Sequence, residues 1–186
     1  MKSFVSMCIF LIIYSHSYAQ KKENFQFGIK GGINYAELLG RDALPDKDRK
    51  VGYSFGLYTN HKLSEHFKLQ PEIIWSLQGD EIENKGRYNI SYINIPIMLK
   101  WHKGKFYTET GPQLGILTIN TSNTMPDNLR LENFDTFDFL LNAGVGYEIS
   151  EDWTLGIRYT HGLTNLVKGL NLKNSVFYIG FAYNIH

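Results

Sequence analysis

The chain has 186 residues and a nearly balanced charge, with 19 basic and 18 acidic residues. This length fits one domain, and the charge provides no basic surface of the kind that nucleic-acid-binding proteins carry. The only cysteine is Cys8, which lies near the N-terminus. It precedes an apolar run instead of following it, unlike the lipid-bearing cysteine of a lipoprotein. A chain without Cys8 would have no disulfide and no cysteine ligand for a metal.

The first nineteen residues have the features of a secretory signal peptide. Lys2 gives a positive start, residues 4–13 are mostly apolar, and Ser17-Tyr18-Ala19 places small residues at the positions that signal peptidase recognises. The apolar run is much shorter than the roughly 20 residues that a membrane-spanning helix needs. We therefore expect residues 1–19 to be a cleaved signal peptide and residues 20–186 to form the mature domain.

Eight segments of the mature chain alternate between apolar and polar residues. A β-strand sends successive side chains to opposite faces, so each segment has one apolar and one polar face. In the first segment, for example, Phe27, Ile29 and Ile33 alternate with polar and glycine residues. The predicted strands are 25–35, 51–59, 67–77, 93–101, 106–116, 137–149, 153–161 and 176–185.

The connections between these strands also alternate in length. Short turns follow every second strand, whereas the other four connections are longer loops; the turns are 63–66, 102–105 and 150–152, and the loops are 36–50, 79–91, 118–135 and 164–174. This arrangement is typical of outer-membrane barrels, whose short turns face the periplasm. The pattern predicts an all-β fold, an eight-stranded antiparallel up-and-down transmembrane β-barrel with both termini in the periplasm.

Size indicates which face of this barrel points outward. The interior of an eight-stranded barrel is only just wide enough for side chains, and the apolar faces carry too many bulky residues to fit there. The polar faces hold most of the 17 glycines and charges of both signs, which suits a narrow lumen. The apolar faces contain no Lys, Arg, Asp or Glu, and a Lys or Arg there would cost about 2–4 kcal/mol at the bilayer midplane.

Aromatic residues are concentrated where the predicted strands end, as expected of girdles at the two membrane interfaces. One set lies at the short-turn rim and the other toward the long-loop rim: Trp101, Phe106, Tyr147, Trp153 and Tyr183 in the first, and Tyr35, Tyr53, Trp75, Phe137 and Tyr159 in the second. The alternative is a soluble exported barrel with its apolar face turned inward around a small apolar ligand.

Four charged residues are predicted to meet at the centre of the lumen: Lys30, Glu72, Glu109 and Arg158. They lie near the middle of the first, third, fifth and seventh strands, which run in the same direction about a quarter-turn apart. Two cations and two anions can neutralise each other, whereas an unpaired buried charge would cost several kcal/mol. We expect a structural lumen cluster that closes the barrel to ions. A proton or ion path is the alternative.

The other inward-facing charges on the predicted strands are Lys68, Lys100, Asp138 and Glu148. The five histidines of the mature chain lack metal-ligand spacing, and we expect them to be polar tips at the rims: His61, His66, His102, His161 and His186. At the long-loop rim, His161, Asp135 and Asp138 form no compact catalytic pattern with a nucleophile. We therefore predict no catalytic, cofactor-binding or metal residue.

The loop after the first strand contains Asp42, Asp46 and Asp48 among basic residues. These aspartates could bind a divalent cation, although a mixed-charge loop in solvent is the simpler interpretation.

Five motifs together resemble a known family: FGIKGGIN (27–34), LQPEIIWSLQG (69–79), YINIPIMLKW (92–101), FYTETGPQLGIL (106–117) and AGVGYEI with IRYTHGLTN (within 143–165). They are similar to the PorT-like outer-membrane β-barrel family of the Bacteroidota. The resemblance covers nearly the whole mature chain. It implies an eight-stranded barrel in the outer membrane but little about activity. The namesake of the family is associated with secretion and maturation of surface proteins.

We expect an integral outer-membrane barrel protein that has no cofactor and is not an enzyme. Its role would be structural, surface-interacting or accessory to secretion or assembly, with a plugged lumen that excludes general porin activity. The expected partners are outer-membrane lipid and lipopolysaccharide, possible surface or secretion-related proteins, and no nucleic acid. The alternatives are an outer-membrane barrel enzyme acting on lipid or protein, or the soluble ligand-binding barrel.

Overall fold

A computed structural model describes residues 25–42, 47–48, 50–78, 81–82, 86–87, 89–121, 135–167 and 169–185. The predicted signal peptide and its cleavage point lie outside these residues. The strands are β1 (Phe25–Leu39), β2 (Lys47–Asp48), β3 (Lys50–Lys62), β4 (Phe67–Gln78), β5 (Glu81–Ile82), β6 (Gly86–Arg87), β7 (Asn89–Lys103), β8 (Phe106–Thr121), β9 (Phe137–Glu148), β10 (Trp153–Gly162) and β11 (Lys173–Ile185). Within the described residues, no helix has the length and apolar character needed to cross a membrane.

Eight of these strands close an antiparallel barrel in the order β1-β11-β10-β9-β8-β7-β4-β3. Each barrel strand pairs with its neighbour in the sequence, and β1 pairs with β11 so that Phe27 lies opposite Ile185. Closure removes the unpaired strand edges that would otherwise expose backbone N–H and C=O groups. The predicted eight-stranded antiparallel barrel is confirmed. Its first and last strands begin and end at the short-turn rim.

The short turns are made by residues suited to tight turns. Gly104, between β7 and β8, has a φ of 63°, a left-handed conformation that glycine adopts without a steric penalty. In each of the other two turns, a serine hydroxyl accepts a hydrogen bond from a backbone N–H group. Ser64 Oγ accepts from Phe67 N at 3.1 Å, and Ser150 Oγ accepts from Trp153 N at 3.1 Å. These local bonds join consecutive strands closely at this rim.

Several strands extend further toward the long-loop rim than the alternating pattern predicts. β1 continues to Leu39 and pairs there with Lys173 of β11, and β8 continues to Thr121 beside Asn89 of β7. Backbone pairing continues here beyond the apolar alternation. A second sheet, β2-β5-β6, lies within the loops and was not predicted, because two-residue strands show no periodicity.

The apolar faces point outward, as predicted for a barrel surrounded by lipid. Leu57, near the middle of β3, is 62% exposed. Aromatic rings pair across strands at both rims: Phe106 with Tyr147 at 4.8 Å and Trp153 with Tyr183 at 4.9 Å between ring centroids at the short-turn rim, and Tyr53 with Trp75 at 5.8 Å at the other. The predicted girdles therefore occupy the outer surface at the ends of the strands.

Tyrosine rings pack against glycines on the lumen face. A Cβ atom placed on Gly146 would overlap the ring of Tyr107, and one placed on Gly180 would overlap the hydroxyl of Tyr178. The same Tyr107 hydroxyl would lie 2.9 Å from a Cβ on Gly156. A side chain at Gly146 or Gly156 would displace the Tyr107 ring, and one at Gly180 would also overlap the backbone oxygen of Gly31. Within the described residues, these tyrosine rings occupy space in the lumen that a larger residue on the facing strand would need.

Candidate functional site

The centre of the lumen is occupied by an ionic cluster built around Glu72 of β4, whose side chain is fully buried. Arg158 of β10 donates two hydrogen bonds to this carboxylate, from Nη1 to Oε2 at 2.9 Å and from Nη2 to Oε1 at 2.8 Å. Lys30 of β1 donates to Oε2 at 3.1 Å. The bidentate geometry matches the planar guanidinium to the carboxylate, so Glu72 links two strands that lie on opposite sides of β11.

Arg158 also joins the second carboxylate, donating from Nε to Oε1 of Glu109 at 2.7 Å. The structure thus brings together the four residues named from the sequence. It adds Lys100 of β7, whose Nζ lies 3.6 Å from Glu109 Oε2 and 4.1 Å from the centre of the Tyr107 ring. Strand position indicated that Lys100 faces the lumen but not that its long side chain reaches the centre. We call these five residues the central cluster.

The central cluster is nearly free of solvent contact, since none of its side chains is more than 9% exposed. Gln70 adds a hydrogen bond from Nε2 to Glu72 Oε1 at 2.6 Å. Buried charges are tolerated only with close partners and satisfied hydrogen bonds. The cluster contains three basic and two acidic side chains, so its formal charge is one positive unit when all five are ionised.

A second ionic group lies in the lumen toward the short-turn rim. Glu148 Oε1 is 3.2 Å from Lys68 Nζ and 3.2 Å from His102 Nε2. Lys68 and Glu148 are each about one-third exposed, at 30% and 32%. The sequence analysis placed His102 at the rim as a polar tip, but the structure places it inside the lumen. Even-numbered residues of β7 point inward, and His102 follows Lys100 in that series.

The opposite end of the lumen is covered by the loop between β10 and β11. Leu166, Val167 and Leu172 of this loop are buried against Tyr92 of β7. Backbone hydrogen bonds fix the loop in this position: Leu166 N donates to Leu172 O at 2.8 Å, and Asp135 N donates to Leu166 O at 2.9 Å. We call these four buried residues the apolar cap. The sequence analysis did not predict it, because a loop has no periodic pattern from which burial can be inferred.

A polar layer separates the apolar cap from the central cluster. Asn142 Oδ1 accepts from Thr160 at 2.6 Å, and Asn34 Nδ2 donates to Ser76 at 2.8 Å. Asp138 is 1% exposed and accepts from Thr164 Oγ1 at 2.7 Å. The described lumen therefore has three layers in sequence, which are ionic, polar and apolar.

The other residues considered in the sequence analysis are dispersed. His161 lies on the outer face, its ring 6.3 Å from that of Tyr159, whereas Asp138 faces the lumen. Asp42 accepts the backbone N–H of Asn171 at 2.7 Å and joins two long loops. Asp46 and the side chain of Asp48 lie outside the described residues. Among the described residues, no group of three or more His, Cys, Asp or Glu is placed to hold a metal ion.

The fold resembles solved outer-membrane barrels. Neisserial surface protein A aligns over 86% of this chain and 97% of its own, with a TM-score of 0.59 and 11% identity. Ail, the attachment invasion locus protein of Yersinia pestis, aligns over 87% of this chain and 99% of its own, with a TM-score of 0.54 and 12% identity. At such low identities the likeness concerns the fold alone.

A search of curated proteins finds no match. A family model described as outer membrane protein beta-barrel domain matches residues 18–168. This range contains all the barrel strands except β11 and includes all five residues of the central cluster. The closed antiparallel barrel and its apolar outer face agree with that description. The chain belongs to the outer membrane protein beta-barrel domain family.

Proposed function

We propose that this outer-membrane barrel protein has a sealed lumen and acts through its surface, in a structural, surface-interaction or secretion- or assembly-accessory role. The observation that supports this is the central cluster, in which Arg158 contacts both Glu72 and Glu109 across the bore at 2.7–2.9 Å. Hydrated ions would have to break these contacts to pass. A barrel of this width has no alternative path around them.

The proposed orientation places the short-turn rim and both termini in the periplasm and the long loops at the cell surface. Outer-membrane barrels carry their longer loops on the extracellular side. A cleaved signal peptide over residues 1–19 would deliver the chain across the inner membrane. The outer face would then contact lipid and lipopolysaccharide, and the loops would be available to surface or secretion-related proteins, as the resemblance to the PorT-like family implies. Neither nucleic acid nor a cofactor belongs to this proposal.

We also propose that the protein is not an enzyme. Two of the residues considered for catalysis, His161 and Asp138, lie on opposite sides of the barrel wall. A base and the acid that orients it must lie within hydrogen-bond reach of each other. Replacing His161 with Ala should therefore leave lipid A and the protein's own long loops chemically unchanged in cells that express it. A lipid or cleavage product that disappears in this variant would contradict the proposal.

Conductance in planar bilayers tests the sealed lumen directly. The purified, folded protein should show no steady ion conductance in 1 M KCl. A variant in which Arg158 and Glu72 are both replaced by Ala should conduct if it folds, because the contacts across the bore are removed. Steady single-channel conductance from the unaltered protein would refute the sealed lumen. Protease treatment of whole cells, with cleavage confined to the long loops, tests the orientation.

A further inference from the structure

A small cavity lies in the lumen between the central cluster and the polar layer. Its volume is about 30 Å³, which exceeds the roughly 10–15 Å³ that a cavity needs to hold one water molecule. Lys30 and Arg158 line it, together with Asn94 of β7 and Gln113 of β8. The strand order places the two cations and the two amides on opposite sides of the barrel. The cavity is therefore a polar space with room for one small particle.

Several buried polar groups line this cavity. Asn94 is 6% exposed and Gln113 is 7% exposed. Buried polar groups are normally hydrogen-bonded, but the buried hydroxyl of Tyr178, which also lines the cavity, has no hydrogen-bond partner among the described residues. Two other hydroxyls at the cavity are engaged, since Thr160 donates to Asn142 and Ser54 donates to Asn34. The unpartnered hydroxyl of Tyr178, beside two cations, therefore indicates a bound molecule or ion.

Charge indicates what that particle is. The only charged residues lining the cavity are Lys30 and Arg158, and the central cluster to which they belong has one excess positive charge. Both cations keep N–H groups beyond those that bind Glu72 and Glu109. Asp138 lies in the same row of the sheet as Asn94, with Gly115 between them, but it does not line the cavity. A single negative charge beside Lys30 and Arg158 would make the cluster neutral.

We propose that this cavity binds one monovalent anion of the size of chloride, held by Lys30 and Arg158 on one side and by the amides of Asn94 and Gln113 on the other. The small volume of the cavity favours chloride or bromide over phosphate and larger anions. The site goes beyond the surface role proposed above, and it would make the assembled lumen dependent on halide for its full stability.

Thermal unfolding in different salts tests the site. The folded protein in detergent micelles is heated in sodium chloride, sodium bromide or sodium gluconate at equal ionic strength, and the midpoint of its change in gel mobility is measured. An anion that binds only the folded state raises this midpoint by mass action. The midpoint should rise and then level off with increasing chloride or bromide but not with gluconate. Equal midpoints in all three salts would overturn the proposal.

Three variants distinguish anion binding at this cavity from general effects of salt on stability. Gln113→Leu removes an amide donor from the cavity, and Lys100→Met removes the excess charge without altering the cavity lining. Both should lose most of the chloride-dependent rise. Asn60→Leu changes a buried lumen amide that does not line the cavity, and it should keep the full rise. An equal chloride effect in all three variants and the unaltered protein would refute the site.

A crystal of the unaltered protein grown in bromide gives a second measurement that does not depend on the folding of any variant. An anomalous peak between Arg158 and Gln113 would support the proposal, and a cavity that holds only water would overturn it. Because neither stability nor anomalous scattering depends on conductance, these outcomes are independent of whether the lumen proves to be sealed.

Discussion

Two neighbouring glycines of β1 show how differently the two faces of the barrel wall are packed. A Cβ atom on Gly31, which faces outward, would have Ser54 O at 3.5 Å as its nearest neighbour. A Cβ atom on Gly32, which faces the lumen, would overlap the carbonyl oxygen of Ile179 and lie 2.6 Å from Gly180 Cα. The outer face contacts fluid lipid that can adapt to a side chain, whereas the lumen is packed like a protein interior.

The two faces also differ in the number of charged side chains that they carry. The lumen holds five charged side chains in one network, while the apolar faces predicted from the sequence carry none. In lipid a charge finds no partner, but in the lumen it finds several at fixed distances. Successive side chains of one strand therefore lie in two different environments, lipid and the packed lumen. Substitutions on the two faces should destabilise the barrel for different physical reasons.

The largest effect is expected at the centre of the lumen. Glu72→Ala leaves Arg158 and Lys30 without their common carboxylate and should lower the free energy of unfolding by about 3–5 kcal/mol, the usual cost of removing one partner from a buried ion pair. Equilibrium urea unfolding from phospholipid vesicles would measure this change. A loss below about 1 kcal/mol would show that water enters the cluster and stabilises the remaining cations.

A charge on the outer face should have the next largest effect. Ile179 lies on the outer face of β11, between Ile33 and Ile157 of the neighbouring strands, and Ile179→Lys should cost about 2–4 kcal/mol if it lies near the bilayer midplane. Leu63→Lys is the matched control, because Leu63 is exposed at the short-turn rim, where the expected cost is about 0–1 kcal/mol. The same unfolding measurement applies. Equal losses would contradict the predicted position of the membrane.

Alanine substitutions at Gly31 and Gly32 test the packing of the two faces without introducing a charge. Gly32→Ala should lower the free energy of unfolding by about 1–3 kcal/mol, as expected for an atom forced into a filled interior. Gly31→Ala, one residue away, should change it by less than about 0.5 kcal/mol, since its surroundings are open. The pair shares the same strand and the same chemical change. A similar result at both positions would mean that the lumen backbone can move apart to admit a methyl group.

The smallest effect is expected where the lumen opens to water. Glu148→Ala removes the partner of Lys68 and His102 at the short-turn rim, but solvent can hydrate Lys68, whose side chain is 30% exposed. The expected loss is below about 1 kcal/mol, and it should diminish as salt screens the pair. Unfolding at low and high salt would show this. A loss as large as that of Glu72→Ala would place the pair in a much drier environment than its exposure indicates.

The alternation of side chains was sufficient to predict the strands, their faces and the meeting of Lys30 with Arg158 through Glu72. Each of these follows from a period of two and from the strand count. Lys100 was missed as a member of the central cluster because strand position does not determine how far a flexible side chain extends. The apolar cap was missed because Leu166 and Val167 lie in a loop, where burial depends on contacts with Tyr92, which is distant in the sequence.

The seam between β1 and β11 has a consequence for how the chain folds. These strands come from opposite ends of the mature sequence, so their pairing must overcome the entropy of closing a very long loop. Glu72 binds Lys30 of β1 on one side of the seam and Arg158 of β10 on the other. Until the ends meet, the three groups can remain hydrated. Closure of the barrel brings Arg158 to Glu72, so we expect the full dehydration of Glu72 to coincide with closure and a half-closed barrel to leave these charges in contact with water.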